Sequence, residues 1–175
     1  MMKLNAKELR TLDTSRQIPE IKRLPIYFIL DNIYDTYNIG GLFRLADAIS
    51  TSGIYICGES EIPPNHKIKK ASIGTYKVVP WVYKKSTIEA IEELRNKFTL
   101  AVISVEQHKK AVSYINYNYI YPLALILGNE TNGVSKEALD NSDAIVEIPM
   151  YGINKSLNVI VSASIVSYHI LTNLK

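Results

Sequence analysis

Apolar residues recur along this chain in two alternating rhythms. Short, nearly continuous runs, Ile26 to Leu30, Ile54 to Cys57, Leu100 to Val105, Leu123 to Leu127 and Ala144 to Ile148, have the length and β-branched content of buried strands. Between them the spacing turns helical. From Asn38 to Ser50, Leu42, Leu45, Ala46 and Ile49 fall at i, i+3, i+4 and i+7, an apolar stripe with Arg44 opposite it. Gly53 is read as the end of that helix, which makes Ile26 to Cys57 a strand–helix–strand unit with parallel strands. Ser86 caps a further helix reaching Lys97, and a short one is expected over Ser135 to Leu139. Strand and helix alternate throughout, which predicts an α/β fold with a parallel sheet flanked by helices.

Two ends of the chain stand apart. Leu4 to Leu12 reads as a short polar helix, and mixed charges lead on to Arg23 and Pro25, so residues 1–24 form an N-terminal helical extension and 25–175 a single domain. The last helix, Ser156 to Leu171, carries two apolar faces. Leu157, Ile160, Val161, Tyr168 and Leu171 share one, and Val159, Ala163, Val166 and Ile170 the other. A helix at the margin of a small domain needs one such face, so the second predicts a partner, most simply a homodimer.

Composition narrows the class. With 47% hydrophobic and 21% charged residues, the chain of 175 is neither disordered nor fibrous. Its longest apolar runs fall well short of the roughly 18 to 20 residues that cross a bilayer, and charges sit where a signal peptide needs apolar residues. A cytoplasmic protein without a membrane span is expected. The single cysteine, Cys57, lies in a strand and reads as a buried thiol.

The net charge of +3 says little, but its distribution says more: Ile62 to Lys85 holds six lysines (67, 69, 70, 77, 84 and 85) and no acid, leaving −3 for the remainder. Such a segment is either a solvated face or a surface that attracts a polyanion.

Chemistry concentrates in three segments that follow strands or open helices: Asn38-Ile39-Gly40-Gly41 with Arg44, Gly128-Asn129-Glu130-Thr131-Asn132-Gly133, and Ile148-Pro149-Met150-Tyr151-Gly152 leading to Ser156-Leu157-Asn158. In open α/β sheets ligands sit beyond the carboxyl ends of the strands, where these loops would meet. Other chemistries find no support. His66, His108 and His169 have no metal-ligand spacing, no dinucleotide or P-loop glycine motif is present, and Ser156 lacks both a nucleophile elbow and a base, His169 being thirteen residues away.

In order and spacing, these three segments resemble the motifs of the SpoU (TrmH-like) branch of the SPOUT RNA methyltransferases. The first is similar to Asn38-Ile39-Gly40-Gly41-Leu42-Phe43-Arg44-Leu45-Ala46-Asp47-Ala48, the second to Leu125-Ile126-Leu127-Gly128-Asn129-Glu130 with Gly133, and the third to Ile148-Pro149-Met150 with Ser156-Leu157-Asn158. Asp31-Asn32-Ile33 and Pro63-Pro64-Asn65 add to the likeness, whereas Ile49-Ser50-Thr51-Ser52-Gly53 is a longer and more polar helix end than the family's small-residue turn.

The resemblance implies a C-terminal trefoil knot that binds S-adenosylmethionine, an obligate homodimer, and transfer of a methyl group to a ribose 2′-hydroxyl of RNA without a metal. Carried onto this sequence, it assigns catalysis to Arg44, Asn38, Glu130, Ser156 and Asn158, and cofactor contacts to the backbone around Ser104, Val105, Gly128, Ile148 and Leu157. Arg44 is expected to clamp phosphate and stabilise the developing alkoxide, because a guanidinium gives up its proton only with great difficulty. Lys67, Lys69 and Lys70, with Arg44, would hold RNA. With no separate RNA-binding domain evident, tRNA is expected ahead of rRNA. The alternatives are a catalytically silent RNA-binding module of the same fold, and an α/β enzyme taking another nucleotide at Gly128 to Gly133.

Overall fold

Ile26 to Leu30 and Leu123 to Leu127 adopt the extended backbone that their apolar runs call for. They lie in β1 (Leu24–Asp31) and β6 (Leu123–Leu127), which pair in parallel with Phe28 opposite Leu125. The chain is seen as a computed structural model that describes residues 3–13 and 21–173. On its other side β1 pairs with β2 (Thr51–Cys57), also parallel, across the helix α2 (Thr36–Ala48). The remaining strands are β3 (Trp81–Lys84), β4 (Ala101–Val105), β5 (Val112–Ser113) and β7 (Ala144–Glu147). Together they form a seven-stranded sheet in the order β3-β2-β1-β6-β4-β7-β5, every neighbouring pair parallel.

Alternate residues of the central strands supply two separate cores. Phe28, Leu30, Leu125 and Leu127 pack beneath α2 and the last helix, α6 (Val159–Thr172). Ile29, Ala124 and Ile126 pack beneath α4 (Thr87–Lys97) and α5 (Lys136–Asp140). Covered on both faces, β6 is buried at every position, and truncating Ile126 to alanine would cost about 2–5 kcal/mol. No helix among the described residues is long and apolar enough to cross a membrane.

Several boundaries differ from expectation for identifiable reasons. α2 starts at Thr36 because the Asp35 side chain accepts from the Tyr37 amide and caps it there. It ends before Gly53: Ile49 closes it, Ser50 takes a left-handed φ of 52°, and β2 begins at Thr51. The polar residues tolerate this position because the Ser52 hydroxyl donates to the Leu24 carbonyl at 2.8 Å. α6 starts at Val159 with Asn158 as its cap, leaving Ser156 in the preceding loop. Residues 1, 2 and 14–20 of the expected N-terminal extension lie outside the described residues; within it, α1 (Ala6–Thr11) is closed by a capping box of Asn5 and Glu8.

The lysine-rich segment holds more structure than its charge suggests. Lys67, Lys69 and Lys70 ride on α3 (His66–Ala71), capped by Asn65, and are exposed. A 3₁₀ turn at Thr75–Lys77 and the edge strand β3 follow. Two of the six lysines are already engaged: Lys77 donates to the carbonyls of Arg10 and Leu12 at the end of α1, and Lys84 pairs with Glu93.

Candidate active site

Parallel strands end on one edge of the sheet, and the segments leaving β4, β6 and β7 there enclose a cavity of about 550 Å³. Val105, Glu106 and Gln107 form one side, Leu127 to Gly133 a second, and the stretch from Ile148 through Ser156, Leu157 and Asn158 into α6 the third.

Each wall is fixed by polar contacts that the local sequence supplies. The Asn129 side chain donates to the Asn32 carbonyl at 2.7 Å and accepts from the amides of Thr131 and Asn132, while its backbone exchanges hydrogen bonds with Gly133. Asp31, 1% exposed at the end of β1, accepts from Thr87 Oγ1, Asn32 Nδ2 and the Ser135 amide. A buried carboxylate with that many donors is fully satisfied and ties β1, α4 and the start of α5 together.

At the mouth of the cavity the three segments meet. Asn38 of α2, only 5% exposed, donates from Nδ2 to Glu130 Oε1 at 2.8 Å and accepts at Oδ1 from Asn158 Nδ2 at 3.0 Å. Glu130 also accepts from the amides of Asp35 and Tyr34, and Asn158 caps α6 through the Ile160 amide at 2.9 Å. Residues 92 and 120 positions apart in sequence are thus joined through one buried amide.

Four of the five expected catalytic residues, Asn38, Glu130, Ser156 and Asn158, gather at this mouth, three of them lining the cavity and Asn38 bridging two of those. Arg44 does not line it. A methyl group at Gly40 would strike Ala71 of α3, and one at Gly41 would strike Ile160 of α6, so both helices press closely on α2. Arg44 follows these glycines by four and three residues and therefore rises on the face between the two contacts. It is exposed there, with no hydrogen bond or ion pair among the described residues, between the lysine helix and the helix capped by Asn158.

Of the expected cofactor contacts, Val105, Gly128, Ile148 and Leu157 line the cavity. Ser104 does not line it with its side chain: fully buried, its hydroxyl lies 2.7 Å from that of Ser142, turned away by the alternation of side chains along β4. Sequence reasoning missed Glu106 and Gln107, whose signal is two polar residues directly after an apolar run at the ligand-binding edge. Cys57 is buried as expected, and desolvation pushes its thiol up to about 12, which leaves it protonated and unreactive.

The lining suits a particular ligand chemistry. Leu127, Ile148, Met150 and Leu157 offer apolar surface, and the ionisable residues are two acids, Glu106 and Glu130, against one base, Lys155. The volume lies within the roughly 300–1,000 Å³ of small-molecule sites, and the acidic excess favours a ligand with cationic groups.

Residues 25–168 match the SpoU rRNA Methylase family. A Staphylococcus aureus protein assigned to the TrmH family of tRNA/rRNA methyltransferases is 31% identical over 156 residues, covering 89% of this chain and 62% of its own length. The chain therefore spans less than two thirds of that relative. The AdoMet-bound rRNA methyltransferase of Sinorhizobium meliloti superposes with a TM-score of 0.79 at 25% identity, over 95% of this chain and 60% of its own. A TrmH/SpoU tRNA modifying enzyme of A. aeolicus gives 0.75 at 25% identity, over 94% and 79%.

Proposed function

Since the chain belongs to the SpoU rRNA Methylase family, we propose that it is an S-adenosylmethionine-dependent RNA methyltransferase acting on a ribose 2′-hydroxyl. The observation that carries this reading is the Glu130–Asn38–Asn158 chain at the mouth of the acidic cavity, which unites the three motif segments around one opening. Bound in that cavity, S-adenosylmethionine would supply an electrophilic methyl group, and Val105, Gly128, Ile148 and Leu157 would hold it.

The rest of the chemistry belongs to the chain's own residues. Glu130 and Asn158 fix the Asn38 amide from opposite sides, so the polar rim is oriented before RNA arrives, and reorganisation during reaction is small. Arg44, exposed on α2 between α6 and the helix α3 that carries Lys67, Lys69 and Lys70, clamps an RNA phosphate and stabilises the developing alkoxide. Ser156, exposed at the cavity edge, orients the ribose. tRNA is the favoured substrate ahead of rRNA, and both classes appear among the relatives' descriptions.

We extend the proposal to a homodimer and a C-terminal knot. Val161 and Tyr168 of α6 are 44% and 50% exposed while Ala163, Val166 and Ile170 are buried, which supports a second apolar face awaiting a partner. The likeness to the SpoU family supports the knot. Calorimetric titration tests the cofactor assignment: S-adenosylmethionine should bind, and saturable binding of ATP or NAD with none of S-adenosylmethionine would overturn it.

A further inference from the structure

Two consecutive residues reach both sides of the cavity. Glu106 and Gln107 leave the end of β4 on a backbone anchored by the Glu106 amide, which donates to the Val146 carbonyl of β7 at 3.0 Å. In extended backbone neighbouring side chains diverge, and these two take opposite walls. The Glu106 carboxylate accepts from the Val134 amide at 2.7 Å and the Gln107 amide at 2.8 Å. It also fills the space that a β-carbon on Gly133 would need, and Gly133, with φ of 69°, has no such carbon. Gln107 Nε2 donates to the Ile148 carbonyl at 2.6 Å, where the chain leaves β7.

We propose that Glu106 and Gln107 are positioning residues that set the distance between the two cavity walls and so the affinity for the cofactor; this rests on the reading of the cavity given above. The mouth is already braced by Asn38 between Glu130 and Asn158. The side away from α2 has this dipeptide as its brace. Without Glu106 the chain at Val134, directly after the Gly128–Gly133 loop, loses its only side-chain hydrogen bond to the segment leaving β4 among the described residues, and without Gln107 the Ile148 segment loses its corresponding one. Neither residue is assigned a part in methyl transfer, so a wider cavity should weaken binding and leave the chemical step intact once the site is filled.

The test uses Glu106→Gln, which preserves side-chain volume and removes the charge, and Gln107→Ala at an exposed position where folding should not suffer. Calorimetry measures S-adenosylmethionine affinity, thermal melting checks the fold, and single-turnover methyl transfer is recorded across cofactor concentrations. The expected result is a dissociation constant raised about tenfold or more in each variant, the loss of one charge-assisted or short hydrogen bond, with the rate at saturating cofactor within about twofold of the parent. Folded variants that bind as tightly as the parent would overturn the clamp, and so would a lowered saturating rate at unchanged affinity. A parent protein that fails to bind S-adenosylmethionine would overturn the functional reading, and the clamp with it.

Discussion

Asn158 carries two separable duties, and replacing it distinguishes them. Its Oδ1 caps α6 through the Ile160 amide, and its Nδ2 holds the buried Asn38 oxygen. Asn158→Ala removes both. Loss of an Asn cap costs about 1 kcal/mol, and loss of the bond to Asn38 about 1 kcal/mol more, since Asn158 is exposed and water can partly replace it. At about 2–4 °C per kcal/mol for a chain of this size, melting should fall by about 4–8 °C. Asn158→Ser keeps a capping oxygen but supplies no amide to Asn38, so about half that loss is expected. Catalysis should divide differently. Both variants leave Asn38 held from one side, and single-turnover methyl transfer should fall about tenfold or more in each alike, because a small displacement of an orienting group is expensive in rate. Differential scanning fluorimetry and single-turnover assays on the two proteins decide the matter. Equal melting losses would refute the capping role, and parental transfer by Asn158→Ser would refute the functional role of the Asn38 contact.

Arg44→Ala should cut methyl transfer at least about a hundredfold with melting almost unmoved, and Arg44→Lys should restore only part, since an ammonium keeps the charge but not the planar fork; parental rates for the alanine variant would contradict the clamp. Neutralising Lys67, Lys69 and Lys70 should weaken RNA binding and lower the slope of log affinity against log salt by roughly 0.7 to 0.9 per lost phosphate contact, whereas an unchanged slope would return α3 to a merely solvated helix. Hydrogen bonds from Lys84, then Lys97, with help from Tyr55, hold the Glu93 carboxylate down to about 2 from an ordinary 4.5. A depressed carboxylate contributes stability above its ordinary value that is lost as pH falls toward the depressed one, so the melting advantage of the parent over Glu93→Gln should be full at neutral pH and shrink between 4.5 and about 2. An advantage constant over that range would contradict the pairing.

The parts of the fold legible in the sequence are those whose burial leaves a sustained apolar pattern, continuous in the central strands and helical in α2. The continuous apolar runs of β1 and β6, alternating with helical stripes such as Leu42 to Ile49, indicate a sheet covered by helices. β3 was illegible because an edge strand needs only one protected side: Val82 and Tyr83 are exposed and the flanking lysines dominate the pattern. β5, with two residues, is too short to show any period. The helix end near Ser50 was misread because Gly53 is a frequent terminator, whereas Ser50 took the left-handed turn itself. At the site, the motif residues marked Asn38, Glu130 and Asn158, but no spacing could disclose that one amide joins the other two. The alternation of β4 turns the Ser104 side chain away and gives the cavity Val105, a difference that a strand's apolar run alone does not reveal. Glu106 and Gln107 escaped notice because no motif names them; only the walls they reach give them a role.

The central claim is that this chain places a methyl group from S-adenosylmethionine on a ribose 2′-oxygen of RNA. Its most direct test is to incubate the purified protein with methyl-labelled S-adenosylmethionine and RNA from cells lacking the gene, digest the RNA to nucleosides, and resolve them by mass spectrometry. The account predicts label in a 2′-O-methylnucleoside, dependent on Arg44. Label confined to a base, or none in RNA that the protein demonstrably binds, would contradict it.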